Sequence, residues 1–322
     1  MSKVVFRVDG SKTLGLGHIS RCLTLANYLK TRKIKSIFVI INKSIKDKIE
    51  NQGHDVIILQ SKSNEFIQLQ KILKDVNYKY LIIDSKRKLC KDLEKLKKYT
   101  KIILIDNKTN LKIDLAIFPG PKKNNFVEKK SNITGIEYII INSNFKKRVL
   151  NLNKSILISA GASDKYNITK KLVSSFKKKK NKFHVIVILG KFYQCTQEIK
   201  KIIGNDERFE LVVNVDNIAK IMNRCSIGIV TFGITVYEAA RVGLPIFIIS
   251  HSNENSISSK EIDKIGCGEF IGKYNRLNYK NVTDNILEKN KDKNYIVNMH
   301  KAGKQIDGKG VKRVADAIFN LK

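Results

Sequence analysis

Short apolar runs alternate with segments of helical periodicity along nearly the whole chain. In the first half the runs fall at 4–8, 37–41, 56–59, 80–83, 102–105, 115–118 and 138–141. Between them, 22–32, 45–52, 65–76 and 92–99 carry apolar residues three and four apart, which predicts helices. The runs are continuous Ile, Val and Leu blocks, the pattern of strands covered on both faces. Such alternation predicts an α/β chain of parallel sheets flanked by helices.

A polar connection at 119–135 holds two of the three prolines, and a second polar stretch runs over 142–154. These place a domain boundary near residue 150, giving domains 1–150 and 151–322. The second half restarts the alternation. Strands are predicted at 156–159, 185–189, 211–213, 227–230 and 246–249, and helices at 168–176, 216–223, 257–265 and 311–321. From Thr231 to Pro245 the order is strand end, Gly233 turn, short helix, Gly243 stop and proline, as helix-stop chemistry requires.

Candidate chemistry gathers first between Arg7 and Cys22. A strand, a polar loop at 9–17 and a helix start follow one another there, which puts His18 at the carboxyl edge of a parallel sheet. Open α/β sheets hold their ligands at that edge. Gly15 and Gly17 let backbone pass close to a bound molecule. A dinucleotide fingerprint is excluded, because its third glycine would fall at Ser20. On spacing alone His18 reads equally as a functional imidazole and as a polar helix start.

Two strands end in acids, Asp84 and Asp106, which can orient a hydroxyl or water or can cap the next helix. In the second half Gly233 opens a helix whose free N–H groups and about half a positive charge suit an anion. Glu238 lies one turn in, where a carboxylate can take the two hydroxyls of a ribose; a surface Glu near a helix start is the plain alternative. The loop at 160–164, with Gly161 and Ser163, offers small and polar residues to the same cleft.

Composition changes this picture little. At 322 residues and 42% apolar the chain is globular, with room for two cores. Its net charge of +33 raises the question of nucleic acid. The lysines spread over nearly every surface-facing segment, which reads as compositional bias rather than as one localised patch, and no nucleic-acid motif is present. The net field still attracts anionic substrates. The five cysteines, Cys22, Cys90, Cys195, Cys225 and Cys267, lack C-x-x-C spacing, so neither a metal site nor a disulfide framework is expected. No signal peptide and no apolar run of roughly 20 residues is seen, so a cytoplasmic protein without a membrane span is expected.

Taken together, the motifs resemble one family. Arg7-x-Asp9, then Gly15-x-Gly17-His18-x-x-Arg21-Cys22-Leu23, resembles the opening of the UDP-sugar hydrolases of the pseudaminic-acid pathway. These act on UDP-2,4-diacetamido-2,4,6-trideoxy-β-L-altropyranose and are grouped with spore-coat polysaccharide biosynthesis proteins. Ile82-Ile83-Asp84 and Leu104-Ile105-Asp106 are similar to the family's strand-end acids. Thr134 to Tyr138 with Asn144-Phe145 resembles its domain-crossing segment, and Gly233 to Glu238 with Gly243-Leu244-Pro245 its uridine-diphosphate helix. Asp307 to Ala315 resembles its closing helix. The chain departs from the family at Ser85-Lys86, where His-Tyr is usual, at Asn255-Ser256 in place of Asn-Gln, and at Asn142-Ser143-Asn144, where an arginine is missing.

The resemblance implies a GT-B fold, two Rossmann-like domains with parallel sheets facing a cleft. It implies UDP on the second domain, with its diphosphate at Gly233 and Thr235 and its ribose near Glu238. His18 would act as general base on a water that attacks the anomeric carbon with inversion, and Asp9 would orient His18 or the sugar. Arg7, Gly15, Gly17, Arg21, Asp84, Gly161, Ser163 and Asn255 would line the substrate. The implied partners are a UDP-sugar and water, with no cofactor and no metal. A glycosyltransferase, in which a sugar hydroxyl replaces water, is the alternative reading. Of the other histidines, only His251, heading the polar loop near Asn255, stands where a ligand could reach it.

Overall fold

Among the described residues the strands pair side by side in parallel, most of them continuous runs of β-branched and apolar residues. In the computed structural model the described residues are 3–11, 14–60, 64–75, 78–85, 87, 91–121, 131–150, 152–153, 155–180, 182–215 and 217–321. Cys90 and Lys86, both singled out in the sequence, lie outside them. The chain forms two units, Met1–Asn142 with Lys309–Lys322, and Ser143–Gly308.

The first unit contains β1 (Lys3–Val8), α1 (Gly17–Thr31), β2 (Lys35–Ile40), α2 (Lys46–Glu50), β3 (Asp55–Ile58), α3 (Glu65–Asp75), β4 (Tyr80–Asp84), β5 (Lys101–Ile105), β6 (Leu115–Pro119) and β7 (Asn132–Gly135). Its sheet has the order β3-β2-β1-β4-β5-β6-β7. Alternate residues serve opposite faces. Val4, Phe6, Val8 and Ile82 pack with Ile19, Cys22, Leu25, Ala26 and Leu29 of α1. Val5, Leu81 and Ile83 pack on the other face with Leu69 and Leu73 of α3 and with Leu93 and Leu96 of a 3-10 segment, Lys91–Lys98.

The second unit contains β8 (Ser155–Ser159), α4 (Ile168–Lys177), β9 (His184–Leu189), α5 (Thr196–Ile203), β10 (Phe209–Val213), α6 (Ile218–Met222), β11 (Ile227–Thr231), α7 (Ile234–Val242), β12 (Ile246–Ser250), α8 (Asn253–Lys264), β13 (Glu269–Lys273), α9 (Tyr279–Lys289) and α10 (Lys293–Ala302). Its sheet has the order β10-β9-β8-β11-β12-β13. In each sheet the chain builds outward from its first strand and then crosses to the other side. The crossing leaves a crevice beyond the carboxyl ends of β1 and β4 in one unit, and of β8 and β11 in the other. These are two Rossmann-like sheets of the α/β class.

Several expectations differ from the structure. The last helix, α11 (Gly310–Phe319), belongs to the first unit and not to a domain 151–322. Val314, Ala315 and Ile318 are fully buried in the core that α1 and β1 build, and Gly310 abuts Ile139, whose carbonyl oxygen would lie 2.1 Å from any added Cβ. The apolar run 138–141 is no strand. A 3-10 turn, Ile136–Tyr138, opens it, and Ile139, Ile140 and Ile141 are buried as irregular backbone. The strand beyond β6 is instead β7, within the stretch read as a polar connection. Helix 92–99 is 3-10 in form, and α5, β13, α9 and α10 went unread.

Burial of α11 in this core gives a measurable consequence. Ile318→Ala should cost about 2–5 kcal/mol by transfer and cavity formation. Urea unfolding followed by far-UV circular dichroism, in a chain with no tryptophan, should show the midpoint lowered and the unfolding free energy reduced by that amount.

Candidate functional site

The crevice of the first unit is organised around a carboxylate. In β1 and β4, Val8 stands opposite Asp84, so Asp84 faces the side on which α1 packs. It has no solvent exposure. Arg21, one turn into α1, donates from Nε to Asp84 Oδ2 at 2.5 Å and from Nη2 to Oδ1 at 2.7 Å. His18 Nδ1 lies 2.5 Å from Oδ1, and the Cys22 thiol donates to Oδ2 at 3.4 Å. Burial works to raise the Asp84 carboxyl, but the charge and hydrogen bonds of Arg21, with those of His18, hold it well below the ordinary range. An ionised Asp84 can only accept, so Nδ1 donates to it, and in the neutral ring the lone pair falls on Nε2. Carboxylate, imidazole and free Nε2 make the arrangement by which an enzyme presents a base. Asp106, at the end of β5, sits 3.6 Å from Arg21 Nη1.

Arg7 and Asp9 lie on the opposite face. Arg7 is buried at 1% exposure and donates to Asp9 at 2.9 Å and to Glu65 of α3 at 2.6 Å. Asp9 also accepts from the Ser85 hydroxyl at 2.5 Å and pairs with Arg87 at 3.1 Å. Burial opposes its charge, but Arg7, Ser85 and Arg87 together hold its carboxyl low. The expectation that Asp9 orients His18 is therefore corrected as regards the side chain that does so: Asp84 holds the imidazole, and strand alternation directs Asp9 to Arg7. Gly15 takes φ +78 and closes the loop through its N–H to Ser11 O at 2.8 Å, and Gly17 begins α1 with open space around it. Glu65, Ser85 and Arg87 were missed in the sequence. Ser85 stood out only as a departure from a family pattern, and Glu65 and Arg87 gave no local signal.

The second crevice is built of close backbone. Gly161 takes φ +85, and a Cβ there would lie 3.7 Å from the Thr231 hydroxyl. At the end of β9, a Cβ on Gly190 would fall 2.4 Å from Ala162 Cα, so only glycine lets this loop sit down. Asp164 caps α4, accepting from Ile168 N at 2.9 Å and Thr169 N at 2.8 Å, and burial pushes its carboxyl up against those bonds. Ser163 is half-buried beside it.

Gly233 precedes α7 and makes no side-chain cap, and a Cβ added there would meet nothing within 4 Å. Thr235 and Glu238 are half-buried on that helix. Asn255, in the first turn of α8, donates to Phe232 O at 3.4 Å, and its own N–H is capped by Ser252 at 3.1 Å. The structure thus brings Gly161, Gly233, Thr235 and Asn255 to the carboxyl ends of β8, β11 and β12. His251 arrives there too, its ring 6.2 Å from that of Tyr166.

Among the described residues no group of three His, Cys, Asp or Glu side chains could hold a metal ion, and no helix is long and apolar enough to cross a membrane. The described cysteines, Cys22, Cys195, Cys225 and Cys267, are free thiols.

Similarity to known proteins follows the same architecture. No family model matches the chain. It is 29% identical to the uncharacterized protein MJ1062 of Methanocaldococcus jannaschii over 279 residues, 78% of this chain and 56% of that one, so it spans about half the archaeal protein's length. It is 22% identical to the spore coat polysaccharide biosynthesis protein SpsG of Bacillus subtilis over 97% of this chain and 96% of the relative. Among solved structures, S. aureus MnaA with UDP superposes with a TM-score of 0.69 at 16% identity, covering 100% of this chain and 98% of the other. Glycosyltransferases match over nearly the whole chain with TM-scores of 0.66 to 0.73. The fold is GT-B.

The buried Asp84 makes the first unit sensitive to acid. Its carboxyl is lower in the folded chain than its ordinary 3.8, so its contribution is complete above that value and is lost as pH falls through and below it. Asp84→Asn should remove that dependence and leave part-buried Arg21 with only the half-exposed Asp106 as an ionic partner, at a cost of up to about 3–5 kcal/mol. Urea midpoints measured from pH 6 to pH 3 should fall for the natural chain and run flatter, from a lower start, for the variant.

Proposed function

We propose that this chain is a GT-B enzyme that hydrolyses a nucleoside-diphosphate sugar at its anomeric carbon. The observation that carries the reading is the contact of His18 Nδ1 with fully buried Asp84, 2.5 Å away, which turns Nε2 away from the carboxylate. His18 itself keeps 8% exposure, unlike the fully buried Asp84. In this reading Nε2 takes a proton from water as its oxygen forms a bond to the anomeric carbon. The bond from that carbon to the diphosphate oxygen breaks, and configuration inverts. A diphosphate leaves as an anion and needs no acid to protonate it. General-base help of this kind contributes about 10²–10⁴ in rate; positioning and stabilisation of the departing charge supply the rest.

Nucleotide recognition belongs to the second unit. The uncapped start of α7 offers N–H groups and about half a positive charge to phosphate oxygens. Gly161 and Gly233 leave space for close approach, Ser163, Thr235 and Asn255 supply polar groups, and Glu238 suits a ribose. UDP is the nucleotide of choice because a UDP complex is among the structures sharing this fold. The name of SpsG and the motif resemblance support a role in surface-glycan synthesis, with a diacetamido-trideoxy sugar as substrate.

Transfer to a sugar hydroxyl is the second reading, favoured by the glycosyltransferases among the structural matches. The same His18 would then deprotonate the acceptor.

UDP release from UDP-2,4-diacetamido-2,4,6-trideoxy-β-L-altropyranose distinguishes the two. Release without an added acceptor, lowered about 10²–10⁴-fold by His18→Ala with UDP affinity unchanged, is the expected result. Release that waits for an acceptor sugar selects transfer, and full release by the variant removes His18 from the mechanism.

A further inference from the structure

The far end of α7 holds a cluster of cations. Arg148 donates its backbone N–H to Val242 O at 3.2 Å, which pins it beside the last residue of that helix. Its Nη1 donates to Met222 O at 2.9 Å, Asn223 O at 3.3 Å and Cys225 O, the carbonyls at the end of α6. Its Nε and Nη2 are buried and have no partner. Arg241, in the last turn of α7, also buries an Nε without a partner, and Gly308 packs so close that a Cβ there would lie 2.5 Å from that atom. His300 donates from Nδ1 to Gly243 O at 2.8 Å. Lys147 and Lys304 complete the group, with their ammonium groups close enough to oppose one another.

Burial, together with Lys304 and Arg241, lowers the Lys147 ammonium, and burial, then Lys147, Arg148 and Lys304, lowers His300 despite its bond to Gly243. Burial also brings Arg148 down to about 10. Among the described residues no salt bridge joins Lys147, Arg148, Arg241 or Lys304 to a carboxylate. Three helix ends lie here, those of α6, α7 and α10, but each offers only about half a negative charge. That is enough to explain Arg148 Nη1 and His300 Nδ1, which bond to carbonyls. It leaves three further charges and three orphaned guanidinium nitrogens unexplained. Buried donors without acceptors are rare because each costs about 1–3 kcal/mol.

We propose that this cluster binds a phosphate-class oxyanion. Arg241, Lys147 and Lys304 supply charge, and the guanidinium N–H groups of Arg241 and Arg148 supply directed bonds that planar donors make well with phosphate oxygens. The site is separate from the start of α7, which lies nine residues, about 13 Å, along the helix. It depends on no assumption about the reaction.

The test is thermal unfolding of the full chain in sodium phosphate against sodium chloride at equal ionic strength. Lys147 and Lys304 are exposed, so Lys304→Gln and Lys147→Gln leave the core untouched. The natural chain should gain about 3 °C or more in phosphate. Both variants should lose most of that gain, and in chloride both should melt at or above the natural chain, because a repulsion is relieved. An equal gain in all three proteins would place the phosphate elsewhere and overturn the proposal, as would no gain at all or variants that melt lower in chloride. Sedimentation with phosphatidylcholine vesicles, with and without phosphatidic acid, separates the sources. Lys304-dependent pelleting only with phosphatidic acid assigns a lipid phosphate, and its absence beside a retained thermal gain assigns free phosphate.

Discussion

A carboxylate with no access to water cannot stay ionised without partners, and Asp84 has them on every side. Moving such a charge out of water costs several kcal/mol even after relaxation. Arg21 answers it with two donors in fork geometry, and His18 and Cys22 add two more. All three partners come from the first turns of α1, so the charge fixes where that helix begins. The Asp9 N–H donates to Asp84 O at 3.3 Å, which ties the loop after β1 to the same strand end. The loop, the helix start and the imidazole are thus positioned by one buried group. Apolar packing of Ile19, Cys22 and Leu25 then holds the helix to the sheet.

The same unit buries a second charge system on the other face of its sheet. Arg7 bridges Asp9 and Glu65, and Arg87 closes the square with bonds to both acids. Burial would lower the Arg7 guanidinium, yet Glu65 and Asp9 keep it firmly charged. Ser85 links the two systems along the chain, since it follows Asp84 and bonds to Asp9. Its carbonyl in turn accepts from Asn107 at 2.5 Å. Two charge clusters on opposite faces, joined by one strand end, make the carboxyl edge of β4 rigid where the chemistry is proposed.

What could be read from the sequence follows from range. Strands of continuous β-branched residues, and helices such as α1 and α4 with clean apolar stripes, declare themselves locally. β7 did not, because its Asn-Ile-Thr-Gly carries only one apolar residue and owes its place to pairing with β6. The run 138–141 misled in the opposite way: its isoleucines are buried, but burial does not require a strand. The home of α11 was equally hidden, because a stripe shows that a helix packs and not which core receives it. At the site, strand-end acids and the glycine loop were visible. The choice between Asp9 and Asp84 was not, although alternation along β1 already set Arg7 and Asp9 on one side. The missing fact was the face on which α1 lands.

The two crevices handle charge in opposite ways, and that contrast bears on the work each can do. In the first, the protein supplies both signs itself: Asp84 is paired with Arg21 and also holds Nδ1 of His18. Such a site has no need of an ionic ligand and suits a neutral one, a water or a hydroxyl. In the second, Asp164 spends its oxygens on the start of α4, while α7 begins at Gly233 with no side chain over its N–H groups. A helix start without a side-chain cap carries about half a positive charge, which suits an anion. Under the proposed function the first crevice would serve the nucleophile and the second the leaving group.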